Sequence, residues 1–495
     1  MAAMRPDRHS WNPAHPRRLS RRAALRYRAA GPLFMALVLS AAPALRVVSL
    51  LGLDLGAQPA FADGGSGGGG GGGGEGGGSG GGGEGGGSGS GGSGSDGGGD
   101  GGGEGGDGGD GSDDGAGADK GSDHAGRAVA HELVAVGPTD GLRTTLAQLG
   151  MRVIEETPFA ALDLTAVRIG LPPQMSLATG EALLKARLPA LQIDVNALYA
   201  PMASLTLPAP GDSAQAIGWP SPASGCGSGL RLGMIDTGVD AQAPGFGGHR
   251  IRQQSFIDAG EDPAPRDHGT AIASILVGGA PGLSPDAGTL GSASAPASQP
   301  EGLMPQAELY VASIFALDGK GEARATAVGF ARALDWMVGA GIQAINVSLA
   351  GDENLLIDLA VARAAERGAV LVAAAGNGGP GAPPAFPAAL EGVIAVTAVD
   401  VDGRLFEQAN RGDYVDVAAP GVRVIAPAAG PETGTSFAAP FVTAWVAAKI
   451  AEGGPANAAT MHRAIAATAR DLGPAGRDPD FGWGLLQSDG NCGRR

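Results

Sequence analysis

The stretch "LRLGMIDTGVD", Leu230 to Asp240, decides how the larger part of the chain is read. Its apolar run stops at Asp236, Thr237 and Gly238, the pattern of a buried strand that ends in a turn. The chain beyond Asp240 keeps alternating. "TAIASILVGG" starts a helix, "AELYVASIF" is a strand, and "ARATAVGFARALDWMVGAG" is a helix stopped by Gly341. "IQAINVSLAG" is a strand, "NLLIDLAVARAAERG" is a helix ended at Gly368, and "AVLVAAAGN" and "GVIAVTAVD" are further strands. Apolar strands separated by helices require crossover connections. The expected class over 230–488 is therefore α/β, a mostly parallel doubly wound sheet with helices on both faces. In such sheets the functional site lies outside the carboxyl ends of the strands, so candidate residues should stand where strands stop.

Working outward, residues 1–62 read as an export signal. Arg17, Arg18, Arg21, Arg22, Arg26 and Arg28 precede the apolar stretch "GPLFMALVLSAAPAL", and Ala60-x-Ala62 offers a cleavage site. The run from Leu33 to Leu55 is also long enough for an uncleaved membrane anchor, with Arg46 an expensive residue in mid-span. Residues 63–127 are almost wholly Gly, Ser, Asp and Glu. They cannot bury apolar surface, which makes them a disordered, self-repelling linker. Residues 128–201 read strand, helix, strand, strand, helix, strand, a small α+β domain. Residues 202–229, rich in Pro, Gly, Ser and Ala, read as a second linker, and 489–495 as a tail.

The chain has 495 residues, 90 of them Gly, and a formal net charge of −16, which argues against nucleic-acid binding. Its two cysteines, Cys226 and Cys492, exclude a disulfide-rich scaffold or a multi-thiolate metal cluster; whether they pair is left open by the sequence.

Four residues stand at strand ends or helix starts. Asp236 closes the first strand, His268 opens the helix of "RDHGTAIASI", Asn377 follows the strand of "AAAGNGG", and Ser436 lies in "ETGTSFAAPFVTA". Each alone has an ordinary explanation as a turn former or a cap. Together they meet the needs of acyl transfer. A serine hydroxyl needs a base, histidine has the suitable pKa, a carboxylate fixes the imidazole tautomer, and an amide donor can hold an oxyanion. Pro440 cannot sit deep in a helix, so the helix must begin at about Ser436. That puts the serine N–H among the unpaired donors of the first turn.

These motifs, "MIDTGVD", "DHGTAIASIL", "NVSLAG", "AAAGN" and "GTSFAAPFVTA", resemble those of the subtilisin-like serine proteases, and the order Asp236, His268, Ser436 is that family's order. The resemblance covers about 230–488. It implies a serine endopeptidase acting on protein or peptide substrates, with Ser436 as nucleophile, His268 as general base and Asp236 as the orienting carboxylate. Asn377 resembles the oxyanion donor. Ser348, Leu349, Ala350 and Gly351 match the segment that pairs with substrate backbone. Ala374, Ala375 and Gly376 match one wall of the primary specificity pocket, and Phe386-Pro387 the site of a cis bond. The small domain at 128–201 stands where the family has a propeptide, which implies a zymogen whose cleft is blocked until a cut within 200–229. No cofactor is implied for the chemistry. Structural calcium has no clear ligand pattern, since 278–302 offers only Asp286 and Glu301. The implied location is outside the cytoplasm, with membrane contact only through an N-terminal anchor. Two other readings use the same residues differently: a surface-displayed binding protein on a protease-like scaffold, and an esterase.

Overall fold

The computed structural model describes residues 127–202, 212–221, 225–248, 250–279 and 301–493. The export segment and, Arg127 aside, the Gly-rich tract lie outside the described residues.

The first elements are β1 (Ala128–Val136), α1 (Leu142–Gln148), β2 (Arg152–Phe159), β3 (Leu164–Gly170), α2 (Leu177–Arg187) and β4 (Gln192–Pro201). Ser176 caps α2 by accepting from Thr179 N–H. The strands lie in the order β2-β3-β1-β4, all antiparallel. Next come α3 (Ser213–Ala216), β5 (Arg231–Asp236), β6 (Ile251–Ser255), α4 (Asp267–Val277), β7 (Glu308–Ser313), β8 (Ala316–Leu317), β9 (Ala323–Thr326) and α5 (Ala327–Gly339). They are followed by β10 (Ala344–Val347), β11 (Leu349–Ala350), α6 (Leu355–Glu366), β12 (Val370–Ala374), β13 (Val393–Val399) and β14 (Val417–Pro420). The chain closes with β15 (Val424–Ala426), β16 (Gly430–Glu432), α7 (Thr435–Ala451) and α8 (Ala458–Thr468).

The central sheet has seven parallel strands in the order β14-β13-β12-β10-β5-β7-β6. Alternate residues feed two cores. Leu232, Met234, Val370 and Val372 face the layer that holds α4 and α7. Ile235, Ile345, Val347 and Leu371 face the layer that holds α5 and α6. The second core runs on without a break into Leu133, Ile169, Leu184 and Val195 of the N-terminal sheet. The layer of α5 and α6 is therefore packed on both sides. Strand order reverses between β5 and β10, and the crevice at that switch point is where the fold prepares a site.

Two sequence expectations differ from the structure. The helix expected from Ala323 begins only at Ala327, capped by Thr326, because Ala323 to Thr326 form β9 and pair with β8 and β4. The stretch expected to be linker holds α3, whose first N–H groups at Ala214 and Gln215 bond to the Asp212 carboxylate. Trp219, buried just beyond it, donates its indole N–H to Leu303 O at 3.0 Å. Local composition hid both, since the pairing partners lie far along the chain. The cysteine pairing left open by the sequence is made: Cys226 and Cys492 form a buried disulfide, their Cα atoms 5.1 Å apart. No helix among the described residues is long and apolar enough to cross a membrane.

Candidate active site

Asp236 is the last residue of β5 and fully buried. Its Oδ1 accepts from Thr237 N–H at 2.6 Å and lies 2.8 Å from His268 Nδ1. His268 stands in the first turn of α4, held against the β5 end by Gly269. A Cβ on Gly269 would lie 2.6 Å from Gly238 O and 2.7 Å from Thr237 O, so only glycine lets the helix come this close. With a carboxylate on Nδ1, that nitrogen carries the hydrogen and Nε2 is left as the acceptor. Burial works to lower the His268 pKa. The charge and hydrogen bond of Asp236, with Glu432 adding, more than offset it, and the imidazole sits above the ordinary histidine value.

Ser436 is the second residue of α7 and buried, and Pro440, one turn further on and inside the helix, has no N–H to give the Ser436 carbonyl. The ring of Phe437, the next residue, lies 5.5 Å from that of His268, which brings the imidazole beside the serine. Ser436 Oγ and His268 Nε2 are both buried, and neither makes a hydrogen bond, to the other or to any further group among the described residues. Asn377, past the end of β12, accepts through Oδ1 from Thr435 N–H at 3.0 Å and from Thr435 Oγ–H at 2.8 Å. An amide whose oxygen is held in this way presents its NH2 group on the other side. Donors at a helix N-terminus and an oriented amide are a setting that can stabilise a developing alkoxide.

The residues matched to substrate binding gather here too. Ser348 is buried and its Oγ accepts from Asn346 Nδ2 at 2.9 Å. Leu349 and Ala350 form β11 and pair with β4: Leu349 stands opposite Pro201, and Ala350 opposite Ala200. Gly351 exchanges two backbone hydrogen bonds with Phe386, both 3.1 Å, next to the cis Phe386–Pro387 bond. Ala374 ends β12, Ala375 O accepts from Tyr414 O–H at 2.6 Å, and Gly376 N–H donates to Thr435 Oγ at 3.2 Å.

Sequence reasoning missed three contributors. Thr435 orients Asn377, yet a threonine before a helix looks like any cap. Asn410 braces the loop after β12 by accepting from Gly378 N–H and donating to Pro383 O, with nothing local to mark it. Met202 is buried, its Sδ 3.2 Å from Thr435 Oγ, although it opens a stretch that reads as linker. Among the described residues no three His, Cys, Asp or Glu side chains gather as an ion site; Asp286 lies outside them.

An Asp-His pair on a buried carboxylate and a buried serine in the first turn of α7 stand at the switch point of the parallel sheet. A profile of the subtilase family matches residues 227–484, and the chain belongs to that family. It is 35% identical over 268 residues to the thermophilic serine proteinase of Bacillus sp. (strain AK1), covering 53% of this chain and 61% of that one. It is 29% identical over 270 residues to the minor extracellular protease Epr of Bacillus subtilis (strain 168), covering 53% and 38%. The matches thus span about three fifths and two fifths of those relatives. Among solved structures, fervidolysin from Fervidobacterium pennivorans, described as a keratinolytic enzyme related to subtilisin, superposes with a TM-score of 0.60 at 21% identity. That match covers 73% of this chain and 60% of fervidolysin and speaks for the fold.

Proposed function

We propose that the chain is an exported serine endopeptidase, made as a zymogen, that hydrolyses peptide bonds through an acyl-enzyme. The observation that carries this reading is the 2.8 Å contact between the buried Asp236 Oδ1 and His268 Nδ1, whose ring lies against Phe437, the neighbour of the buried Ser436. Ser436 Oγ attacks the substrate carbonyl carbon while its proton passes to His268 Nε2. The oxyanion receives the Ser436 N–H and the Asn377 NH2 group. His268 then protonates the departing amine, the C–N bond breaks, and water attacks the ester with His268 again as base. Asp236 keeps the imidazole in its tautomer and stabilises the cation.

The zymogen reading is supported by β4, which runs between β9 and β11 and so fills the place of a substrate strand. Export is supported by the arginine-rich, then apolar, N-terminus and by the Cys226–Cys492 disulfide, which favours an oxidising compartment. One experiment separates the readings: fluorophosphonate labelling of the wild type and of Ser436→Ala, followed by assay on peptide and ester substrates. The expected result is a label on Ser436 alone, absent from the variant, with peptide hydrolysis abolished and the fold retained. Peptidase activity that survives in Ser436→Ala sinks the assignment. A labelled enzyme that cleaves esters but no peptides makes it an esterase, and a wild type that takes no label makes it a binding protein.

A further inference from the structure

The small N-terminal sheet reaches into the site by a single strand, β4, in a fixed register. Leu198 and Tyr199 pair with Thr326 and Ala325 of β9 on one side. Ala200 and Pro201 pair with Ala350 and Leu349 of β11 on the other. Met202 is the next residue. It is buried, and its sulfur touches Thr435, which adjoins Ser436 and holds Asn377. Upstream, Tyr199 is 1% exposed. Its ring lies on Gly351, where a Cβ would come within 2.4 Å of Cδ1 and 2.6 Å of Cε1. Its hydroxyl donates to Asp352 O at 2.8 Å. Any side chain at 351 would occupy the ring's place. A phenylalanine at 199 would fill the slot but leave that carbonyl without its donor.

Resting on the protease reading, we propose that the bond on the carboxyl side of Met202 is the one this chain cuts in itself. We further propose that its cleft selects peptides of the form Tyr-Ala-Pro-Met, reading the tyrosine ring through Gly351 and its hydroxyl through the Asp352 carbonyl. The step is a hydrolysis and balances as one. Ser436 Oγ bonds to the Met202 carbonyl carbon, and the C–N bond breaks. The amine leaves with the proton that His268 took from Ser436, and one water releases a Met202 carboxylate. Tyr199 then anchors the product strand, three residues before the new carboxyl end, so the severed sheet stays in the cleft as its own product. Burial pushes the Tyr199 phenol well up, so it remains a neutral donor wherever the enzyme works.

The test has two arms. Full-length wild type and Ser436→Ala are purified, and their N-termini are read by sequencing and intact mass. The expected product begins at Ala203 in the wild type, with the 202–203 bond intact in the variant. An active wild type whose mature chain starts elsewhere overturns the proposal. In the second arm the mature enzyme meets quenched peptides Tyr-Ala-Pro-Met-Ala-Ser, with Tyr, Phe or Ala in the first place. The expected kcat/KM falls roughly three- to tenfold from Tyr to Phe, the worth of one neutral hydrogen bond. It falls on the order of a hundredfold from Tyr to Ala, the worth of a buried ring. In Gly351→Leu the Tyr-to-Ala ratio collapses toward one, a change that general damage to the fold would not produce. Equal rates on all three peptides overturn the selectivity. No fluorophosphonate label and no cleavage of any peptide would instead overturn the protease reading beneath it.

Discussion

Both donors that Asp236 meets reach the same oxygen. Oδ1 takes the Thr237 N–H at 2.6 Å and faces His268 Nδ1 at 2.8 Å. The imidazolium is thereby favoured and the His268 pKa lies above the ordinary histidine value. A base must be neutral to accept the serine proton, so activity rises as pH climbs through that raised value. The acid limb of kcat/KM is expected to have its midpoint above about 6.5. Asp236→Asn should move the midpoint down as it lowers the rate, and a wild-type midpoint well below 6 would count against the pairing. Asn377 is held by Thr435 from both the backbone and the hydroxyl. Asn377→Ala is expected to cut kcat by about a hundred- to a thousandfold with KM little changed, read in steady-state assays. At this scale the sequence was most legible. Asp236, His268, Asn377 and Ser436 all stand at strand ends or helix starts in short motifs, and each motif states its local geometry. Thr435 was not legible in its role, because what it holds is 58 positions away.

Between elements the N-terminal sheet and the helices it covers cap one another. Asp335 of α5 accepts the backbone N–H groups of Ala161 and Leu162 at 2.7 and 3.0 Å. In return Asp194 of β4 accepts the Leu355 N–H at the start of α6, at 2.9 Å. Beside them Arg168 holds Glu132 through two nitrogens at 2.6 and 3.0 Å and reaches Asp258 at 2.8 Å. Arg332 joins Asp258 to Glu155. Arg168 and Glu132 are nearly inaccessible, so Arg168→Ala in the Ser436→Ala chain leaves a buried carboxylate unmatched. It is expected to cost about 3–5 kcal/mol in urea unfolding. Burial works to raise the Glu155 carboxyl, but Arg332, Thr157 and Arg168 together bring it below the ordinary carboxylate value. Its stabilising contribution is therefore full above that ordinary value and is lost as pH falls through the lowered one. The gap in urea midpoint between Ser436→Ala and Ser436→Ala/Glu155→Gln should accordingly be present at pH 7 and close in strong acid. A gap that widens in acid contradicts the sign. Long periodic helices such as α6 were readable in the sequence. The two-residue β11 and the four-residue β9 were not, because a strand that short carries no period and exists only through the partner it finds.

Across the whole molecule, the alternation from Leu230 onward was enough to infer a parallel sheet covered on both faces, because two-sided burial requires near-continuous apolar strands. The continuous core from the N-terminal sheet through α5 and α6 into the central sheet was beyond such reasoning. No pattern within one segment records which surface its outer face will meet. The disulfide was also undetermined, as its cysteines are 266 positions apart. On the proposed protease reading it has a consequence for a chain surrounded by copies of itself. Between Cys226 and Cys492 the backbone and the bridge make a covalent ring that holds Asp236, His268 and Ser436. A single nick in any surface loop of that ring opens it without dividing it. Partly digested enzyme is thus expected to run as one species on a denaturing gel without reductant, and to separate into two fragments only when a thiol is added. Fragments that separate without reductant would show that the ring is not closed. Two cuts are needed before a piece can be lost, so self-digestion by such a protease would proceed at first without loss of parts.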